Sequence, residues 1–221
     1  MTTTTPEGGV QPIGAPSRRQ QRRSTAEMRA AVVAVASQLL QEGGLPLVTI
    51  DAVSSRAGVS KPTIYRHWPN RTAIAIDAFT AHMAEQVPIA DLGDARSDLT
   101  EQVRRVAAFY TTHAGVIVSQ LVAATVFDEQ ARQQLRNHFF SDRFTQTSII
   151  WQRALARGEV NPDVDAGTAI DILFGPIFFR LLVGHAPIDP NSAAILADAA
   201  LTGLSSPHRP QSRPTNSRRR K

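Results

Sequence analysis

The chain has 221 residues, 42% of them hydrophobic, which is enough to bury the core of one large or two small domains. It contains no cysteine, which excludes disulfides and thiolate metal sites, and no run of about 18 apolar residues of the kind that spans a membrane. The first residues lack the apolar stretch of a secretory signal, so we expect a cytoplasmic protein with no membrane partner.

The net charge of +5 is unevenly distributed along the chain. Residues 1–23 hold four arginines against one glutamate, and residues 205–221 hold six basic side chains and no acidic one. Residues 24–71 hold five basic and three acidic side chains, whereas residues 72–204 hold nine basic and fifteen acidic ones. Because basic segments attract phosphate by releasing condensed counterions, any nucleic acid is expected at the N-terminal end.

Hydrophobic periodicity and capping residues predict helices along most of the chain, and no segment alternates long enough to indicate a strand. The first helix is predicted to begin at a capping box, Ser24-Thr25-Ala26-Glu27, and to end at Gly43-Gly44. Three further helices are predicted at about 50–57, 60–67 and 70–86, where Thr49, Ser60 and Asn70 supply the caps.

After a linker at residues 88–96, five more helices are predicted. The fifth contains Leu99 and Tyr110, and the others span about 116–127, 128–157, 163–183 and 190–203. Gly115 is predicted to separate the fifth helix from the sixth, and Gly175-Pro176 to kink the eighth.

Residues 49–68 contain the chemically informative motif, in which two short helices are joined by a turn that contains Gly58. Three apolar side chains are expected to fill the wedge between these helices: Val53, Val59 and Ile64. This arrangement is typical of a helix-turn-helix, whose second helix lies in the major groove of DNA. Because the second helix is too short to be stable alone, Ile64 and Trp68 are expected to hold it against its neighbours.

The outer face of that second helix offers donors, a methyl group and an aromatic ring, a set suited to base edges and phosphates. The predicted DNA-contacting residues on it are Lys61, Thr63, Tyr65, Arg66 and His67. Ser60 and the amides of the first turn, which contains Pro62, are positioned to meet a phosphate. Short amphipathic helix pairs also occur in proteins that do not bind DNA, but the polar outer face and the basic charge of residues 24–71 favour DNA binding.

Residues 24–71 resemble the DNA-binding domain of the TetR family of regulators. The matching pieces are the apolar-periodic first helix up to Gly43-Gly44, then Thr49-Ile50, Val53, Ala57-Gly58-Val59-Ser60, Lys61-Pro62-Thr63-Ile64-Tyr65, His67-Trp68 and Asn70-Arg71. The family usually has Phe where this chain has Trp68 and Lys where it has Arg71, and both replacements keep the apolar plug and the positive charge. A weaker resemblance, to one actinobacterial-type subgroup, lies in residues 157–165, 173–176 and 180–187.

The resemblance implies an all-α homodimer that binds a palindromic double-stranded DNA operator, most often as a repressor that a small-molecule effector releases. It implies DNA contacts from Thr49, Lys61, Thr63, Tyr65 and His67 and a phosphate contact from Arg71. The predicted organisation is all-α with about nine helices, divided into a disordered basic arm (1–23), a helix-turn-helix domain (24–71), a connecting fourth helix (70–86), a ligand-binding and dimerisation domain (72–204) and a disordered basic tail (205–221).

Two surfaces of residues 72–204 are predicted to carry function. Helices eight and nine are apolar over an arc wide enough for a dimer interface, with Phe174, Ile177, Phe178, Leu181, Ile195 and Ala199 as candidates. An effector cavity is expected among helices five to eight, lined by Phe109, Tyr110, His113, Leu121, Phe139, Trp151 and Phe174. The alternative for both sets is the core of a single protomer, and His113 is of interest as a polar group expected among apolar neighbours.

Two other classes of function are weighed against the regulator. The six histidines are scattered, and no phosphate-binding loop or nucleophile motif is present, so no catalytic residue, metal site or cofactor is predicted. An architectural nucleoid protein, which would use the basic tails without operator specificity, remains the alternative to a sequence-specific regulator.

Overall fold

The structure is a computed structural model that describes residues 18–205, with side chains from residue 24 onward. Its helices are α1 (Arg18–Gly43), α2 (Ile50–Ala57), α3 (Lys61–His67), α4 (Arg71–Gln86), α5 (Ala95–Tyr110), α6 (His113–Thr125), α7 (Glu129–Gln134), α8 (Ser141–Ala156), α9 (Ala166–Val183) and α10 (Pro190–Leu204). A π-helical turn (Leu135–Phe140) joins α7 to α8 without a break, so residues 18–205 contain nine continuous α-helical segments. Over this range, the prediction of an all-α fold with about nine helices is confirmed, and the one β-contact is an isolated bridge between Val160 and Ser205.

Helix α1 begins earlier than its sequence predicts. The predicted capping box at Ser24 lies inside the helix, which starts at Arg18, so the prediction that Ser24 opens it is wrong. The six residues before Ser24 are Arg and Gln, which are good helix formers, and no residue there stops a helix from extending. Residues 18–23 are therefore helical rather than part of a disordered arm, whereas the rest of the arm and residues 206–221 of the tail lie outside the described residues.

Helices α2, α3 and α4 follow their predicted caps closely. The side chains of Thr49, Ser60 and Asn70 accept hydrogen bonds from the amides of Ala52, Thr63 and Ala73, respectively. These bonds satisfy donors that a helix N-terminus leaves unpaired. Gly58 ends α2 in the left-handed conformation with φ of 64°, as the glycine in the turn predicts.

The apolar residues expected to hold α3 do so. Val53 and Ile64 are fully buried and Trp68 is 2% exposed, all within a core that continues into α1 and α4. Burial of one such side chain contributes roughly 1.5–3 kcal/mol, which compensates for the low intrinsic stability of a seven-residue helix. Helix α3, the second helix of the predicted helix-turn-helix and hence its recognition helix, is thus fixed by its neighbours and presents its other face to solvent.

The remaining helices form a bundle that we call the body (α5–α10). Its main differences from prediction concern α6, which begins at His113 under a cap from Thr112 and contains Gly115 in its first turn. Gly115 therefore lies inside α6 and does not separate α5 from α6. It is buried at a position where a Cβ would clash with the carbonyl oxygen of Tyr110. His113, predicted among apolar neighbours, is exposed at the start of α6.

Helix α9 has an apolar surface that its own protomer does not cover. Among the described residues it is the one helix long and apolar enough to cross a membrane by length and composition, although the bent pair α5–α6 passes the same test if counted as one span. Its mean hydropathy is 1.7, yet only 22% of it is buried, and it carries Asp171 and Arg180. Phe179, Leu182 and Val183 are 58%, 49% and 59% exposed. Most of the apolar surface of α9 thus lies outside the core.

Candidate DNA-binding surface and effector cavity

The turn between α2 and α3 is held by two hydrogen bonds between the same two residues. The hydroxyl of Ser54 donates to the carbonyl oxygen of Val59 at 2.7 Å, and the amide of Val59 donates to the carbonyl oxygen of Ser54 at 3.2 Å. Together with the left-handed Gly58, these bonds fix the angle between the two helices. A fixed angle is what allows α3 to project from the protein as a rigid element.

The N-terminus of α3 is exposed and polar. The hydroxyl oxygens of Ser60 and Thr63 lie 2.8 Å apart, so the cap of the helix is reinforced by a second contact. Ser60, Lys61 and Pro62 are all exposed, whereas Thr63 is half-buried. An exposed helix N-terminus attracts phosphate because its free amides and the helix dipole are both electropositive.

The exposed face of α3 presents a ring and three basic or potentially basic groups. Tyr65 is 54% exposed, Arg66 is exposed, and His67 is half-buried with its ring against that of Trp68 at 5.9 Å. Lys61 forms an ion pair with Asp51, whose hydrogen bond raises the pKa of the lysine. Both partners of that pair are exposed, so it is weak and leaves the ammonium available to a phosphate.

Thr49 and Arg71 flank the motif and are both exposed. The hydroxyl oxygen of Thr49 is occupied as the cap of α2, but its O–H remains a possible donor. The guanidinium of Arg71 donates to the carbonyl oxygen of Leu45 at 3.1 Å and retains further N–H groups for another acceptor. The structure therefore places all nine predicted DNA-contacting residues on one continuous stretch from Thr49 to Arg71, and their roles in DNA binding stay predictions.

Asp77, on α4, joins the helix-turn-helix to the body. Its Oδ2 accepts from Nε1 of Trp68 at 2.8 Å and from the guanidinium of Arg29 at 3.3 Å. Its Oδ1 lies 2.9 Å from Nδ1 of His138, which belongs to the π-helical turn. The guanidinium of Arg29 also stacks over the Trp68 ring, 4.6 Å from its centroid. One carboxylate therefore connects α1, the end of α3 and the body, and we call these four side chains the Asp77 bridge.

A second link connects the body to the segment between α1 and α2. The side-chain oxygen of Gln120, on α6, accepts the amide of Leu45 at 2.7 Å. Gly44, next to it, has φ of 76°, and a Cβ at that position would clash with the Gln120 amide. The segment between α1 and α2 is therefore held at Leu45 through two side chains: Gln120 accepts from its backbone N–H, and Arg71 donates to its carbonyl oxygen.

A cavity of about 610 Å³ opens in the body among α4, α5, the π-helical turn, α8 and α9. Three of the seven predicted ligand contacts line it: Tyr110, Phe139 and Phe174. The other four do not, because Leu121 and Trp151 are fully buried in the core, Phe109 packs between Phe79 and Tyr110, and His113 is on the surface. The cavity is also lined by residues that were not predicted as ligand contacts: Met83, Val106, Arg136, Phe140, Ser141, Arg143, Phe144, Thr147, Ile170, Asp171, Gly175 and Phe178.

The predicted dimer-interface residues are only partly on the surface. Ile195 and Ala199 are exposed and lie on one face of α10, one turn apart. Ile177, by contrast, is 3% exposed and belongs to the core of the protomer, so it is not available to a partner. The remaining three are half-buried: Phe174, Phe178 and Leu181. The free apolar face of α9 is shifted by about one residue, to Phe179, Leu182 and Val183.

Sequence reasoning missed Asp77 and His138. A signal for Asp77 was present, because it is the one acidic residue within the apolar stretch from Ala73 to Phe79. An acidic side chain at a core-facing helical position requires a partner. No local pattern, however, identifies His138 as that partner, because 61 residues separate the two.

Comparison with known proteins gives two adjoining matches. Residues 32–78 match the family described as bacterial regulatory proteins, tetR family, and residues 89–200 match the family described as tetracyclin repressor-like, C-terminal domain. The chain is 31% identical over 174 residues to the HTH-type transcriptional regulator YdeS of Bacillus subtilis (strain 168), an alignment that covers 79% of this chain and 88% of the relative. It is 30% identical over 179 residues to the DNA-binding transcriptional repressor TetR of Mycobacteroides abscessus, covering 80% and 94% of the two chains.

A solved structure agrees with these relatives. The crystal structure of the TetR family transcription regulator SCO0332 is 30% identical in sequence and superposes with a TM-score of 0.76, covering 80% of this chain and 98% of that one. The helix-turn-helix geometry, both family matches and the relatives point to the same assignment. The chain belongs to the TetR family and is a helix-turn-helix DNA-binding transcriptional regulator.

Proposed function

We propose that this regulator is a homodimeric repressor that binds a palindromic operator and is released by a small molecule bound in the cavity of the body. Residues 24–71 form the operator-binding domain, and α4 connects it to the domain that binds ligand and dimerises. The observation that carries the proposal is the Asp77 bridge, which connects Trp68, at the end of α3, to His138, the chain neighbour of the cavity-wall residue Phe139.

Dimerisation is supported by the apolar surface that α9 and α10 leave uncovered. Phe179, Leu182 and Val183 on α9 and Ile195 on α10 are each between 49% and 69% exposed. Contiguous exposed apolar side chains on neighbouring helices are typical of an interface. A second copy of the chain is the occupant we assign, because a two-fold axis places two copies of α3 about one DNA turn, roughly 34 Å, apart on a palindrome.

Ligand release is supported by the position of the bridge beside the cavity. Phe139 and Phe140 line the cavity, and His138 is the residue before them in the same π-helical turn. On the other side of the bridge, Trp68 directly follows α3. A ligand that displaces the aromatic wall therefore acts on a residue in direct contact with Asp77, whose other partners position α1 and α3. Such π-helical turns are frequent at functional sites.

Operator recognition is tested by selecting duplexes from a random pool with the full chain and measuring the affinity for the selected sequence. We expect a palindrome bound about 10³-fold more tightly than random DNA at physiological salt. The matched control is a duplex that carries one half-site, to which a dimer binds far more weakly. Equal affinity for selected and random duplexes would refute operator recognition and favour an architectural DNA-binding protein.

Ligand release is tested by screening small molecules for loss of the operator complex and by comparing two variants in which leucine replaces a small residue. Gly175 lines the cavity, and outside its own helix backbone nothing lies within 4 Å of a Cβ built there, so Gly175→Leu has room for its Cβ and adds apolar bulk at the cavity wall. We expect this variant to bind the operator but to need at least tenfold more ligand for release. Ala156→Leu, at an exposed position of α8 that does not line the cavity, adds similar bulk elsewhere and should respond as the unaltered protein does. Release that is insensitive to Gly175→Leu would place the effector elsewhere.

A further inference from the structure

The cavity wall combines aromatic rings with one cationic group, Arg143, that has no hydrogen-bond or ion-pair partner among the described residues. Six of the thirteen aromatic side chains of the protein line it: Tyr110, Phe139, Phe140, Phe144, Phe174 and Phe178. Several of these rings contact each other edge to face or tilted, with centroids 5.1–5.7 Å apart. Walls of this kind bind planar or branched apolar molecules, and polar groups fix their orientation.

Arg143, on α8, supplies the cation. It is half-buried, and its guanidinium makes no hydrogen bond or ion pair with any residue that the structure describes. Burial lowers the pKa of Arg143, but an arginine remains protonated at neutral pH. A positive charge withdrawn from water and left without an acceptor is unfavourable, and an anion in the cavity would relieve that cost.

The other polar groups of the wall agree with an anionic ligand. Burial raises the pKa of Tyr110, which therefore keeps its proton, and its hydroxyl contacts only the weak acceptor Sδ of Met83 at 3.8 Å. Arg136 already binds Glu129 at 3.2 Å and contributes less free charge. Asp171 is the one carboxylate in the wall, and it is exposed. The cavity wall thus offers the hydroxyls of Tyr110 and Thr147 and the guanidinium of Arg143 as donors.

We propose that the effector is an apolar, largely aromatic small molecule with one anionic group, and that Arg143 binds that group. This inference rests on the cavity being the effector site of the proposed function. The apolar part would occupy the space between the rings of α5, the π-helical turn and α9. The anion would form charge-assisted hydrogen bonds with the guanidinium, the geometry in which arginine binds carboxylates and other oxyanions best.

The test uses two fluorescent probes that differ mainly in charge. 1-Anilinonaphthalene-8-sulfonate carries a sulfonate, and N-phenyl-1-naphthylamine is its uncharged parent. We expect both to bind the full-length protein, the anionic probe more tightly. Arg143→Met keeps a side chain of similar length without the charge. It should lower the affinity for the anionic probe by about tenfold or more and change the affinity for the neutral probe by no more than about twofold. A tenfold loss corresponds to ~1.4 kcal/mol.

Two further variants sharpen the result. Arg143→Lys keeps the positive charge and should recover part of the affinity for the anionic probe. Arg104→Met removes an arginine outside the cavity, where it binds Glu101, and should affect neither probe. If Arg143→Met weakens both probes equally, or neither, the anion site is refuted. The readout is probe binding and not release from the operator. Binding of the neutral probe alone would therefore refute the proposal of an anionic effector, but not the proposal that a ligand in the cavity releases the protein from DNA.

Discussion

The hydrogen bond between Trp68 and Asp77 makes a quantitative prediction about stability. Trp68→Phe keeps an aromatic ring at a position that is 2% exposed but removes the N–H that Asp77 accepts at 2.8 Å. A hydrogen bond to a charged group contributes about 1.5–3 kcal/mol. Because Asp77 retains Arg29 and His138, the cost of losing this donor should fall at or below the lower end of that range, about 1–2 kcal/mol beyond the loss of packing.

The chain contains its own control in Trp151. It is 1% exposed, so Trp151→Phe removes the same atoms from an equally buried site, but its Nε1 has no hydrogen-bond partner among the described residues. Urea unfolding followed by circular dichroism, at one fixed protein concentration, should therefore show Trp68→Phe to be the more destabilising of the two by about 1–2 kcal/mol.

Double-mutant cycles with Asp77→Asn locate the difference. The cycle with Trp68→Phe should give a coupling free energy of about 1 kcal/mol, whereas Asp77→Asn and Trp151→Phe should be additive within ~0.5 kcal/mol. Equal costs for the two tryptophan substitutions, together with additivity in both cycles, would refute the bridge as a connection between α3 and α4.

Four further predictions concern other sites. Tyr65→Ala should weaken operator binding by at least about tenfold, measured by gel shift or fluorescence anisotropy. Helix content should stay unchanged, because Tyr65 is 54% exposed and is not part of the core. Loss of folding would contradict that placement. Leu182→Glu should shift sedimentation from dimer to monomer, and an unchanged dimer would place the interface elsewhere. Gly44→Ala should cost more than about 1 kcal/mol of stability, since φ there is 76° and a Cβ meets Gln120; a neutral effect would mean that the segment between α1 and α2 adapts. Hydrogen bonds from Arg104 and, to a smaller extent, Arg105 lower the pKa of Glu101 to about 2. The stability that this ionised carboxylate contributes is therefore present above pH 4.5 and is lost as the pH falls towards 2. Glu101→Gln should accordingly make the urea midpoint less dependent on pH over that range.

The helix-turn-helix could be predicted because its determinants are local. Thr49, Ser60 and Asn70 each cap the amide three residues ahead, and Gly58 ends its helix within the same few residues. Such signals are complete within one turn of chain and need no knowledge of tertiary contacts. Ser24 had the same pattern and failed, because a cap requires a stop before it, and the preceding arginines and glutamines extend the helix instead.

The cavity wall and the exposed apolar face of α9 could be predicted less well because both depend on packing between distant segments. Gly115 was predicted to break a helix, but it instead allows α6 to approach the end of α5 closely. The residue type alone does not distinguish a glycine that ends a helix from one that allows such a close contact. Along α9, apolar residues occupy most of the circumference, so periodicity does not reveal which side faces the core. Arg143 has an ordinary polar neighbourhood in the sequence, and only the fold reveals it as an unpaired cation in an aromatic wall.

In the proposed mechanism, the path along α4 from the cavity wall to the Asp77 bridge is short. Met83 in the cavity wall and Asp77 lie six residues apart on α4, which is about 9 Å along the helix axis. A coupling of 1–3 kcal/mol is typical of allosteric regulators and comparable to one or two charge-assisted hydrogen bonds. Because the His138 side chain is 47% exposed, breaking its contact with Asp77 would supply about 1 kcal/mol or less, the lower end of that range. Because both copies of α3 in a dimer must match one fixed half-site spacing, a small rotation of α4 in each protomer would disturb two contacts with DNA at once.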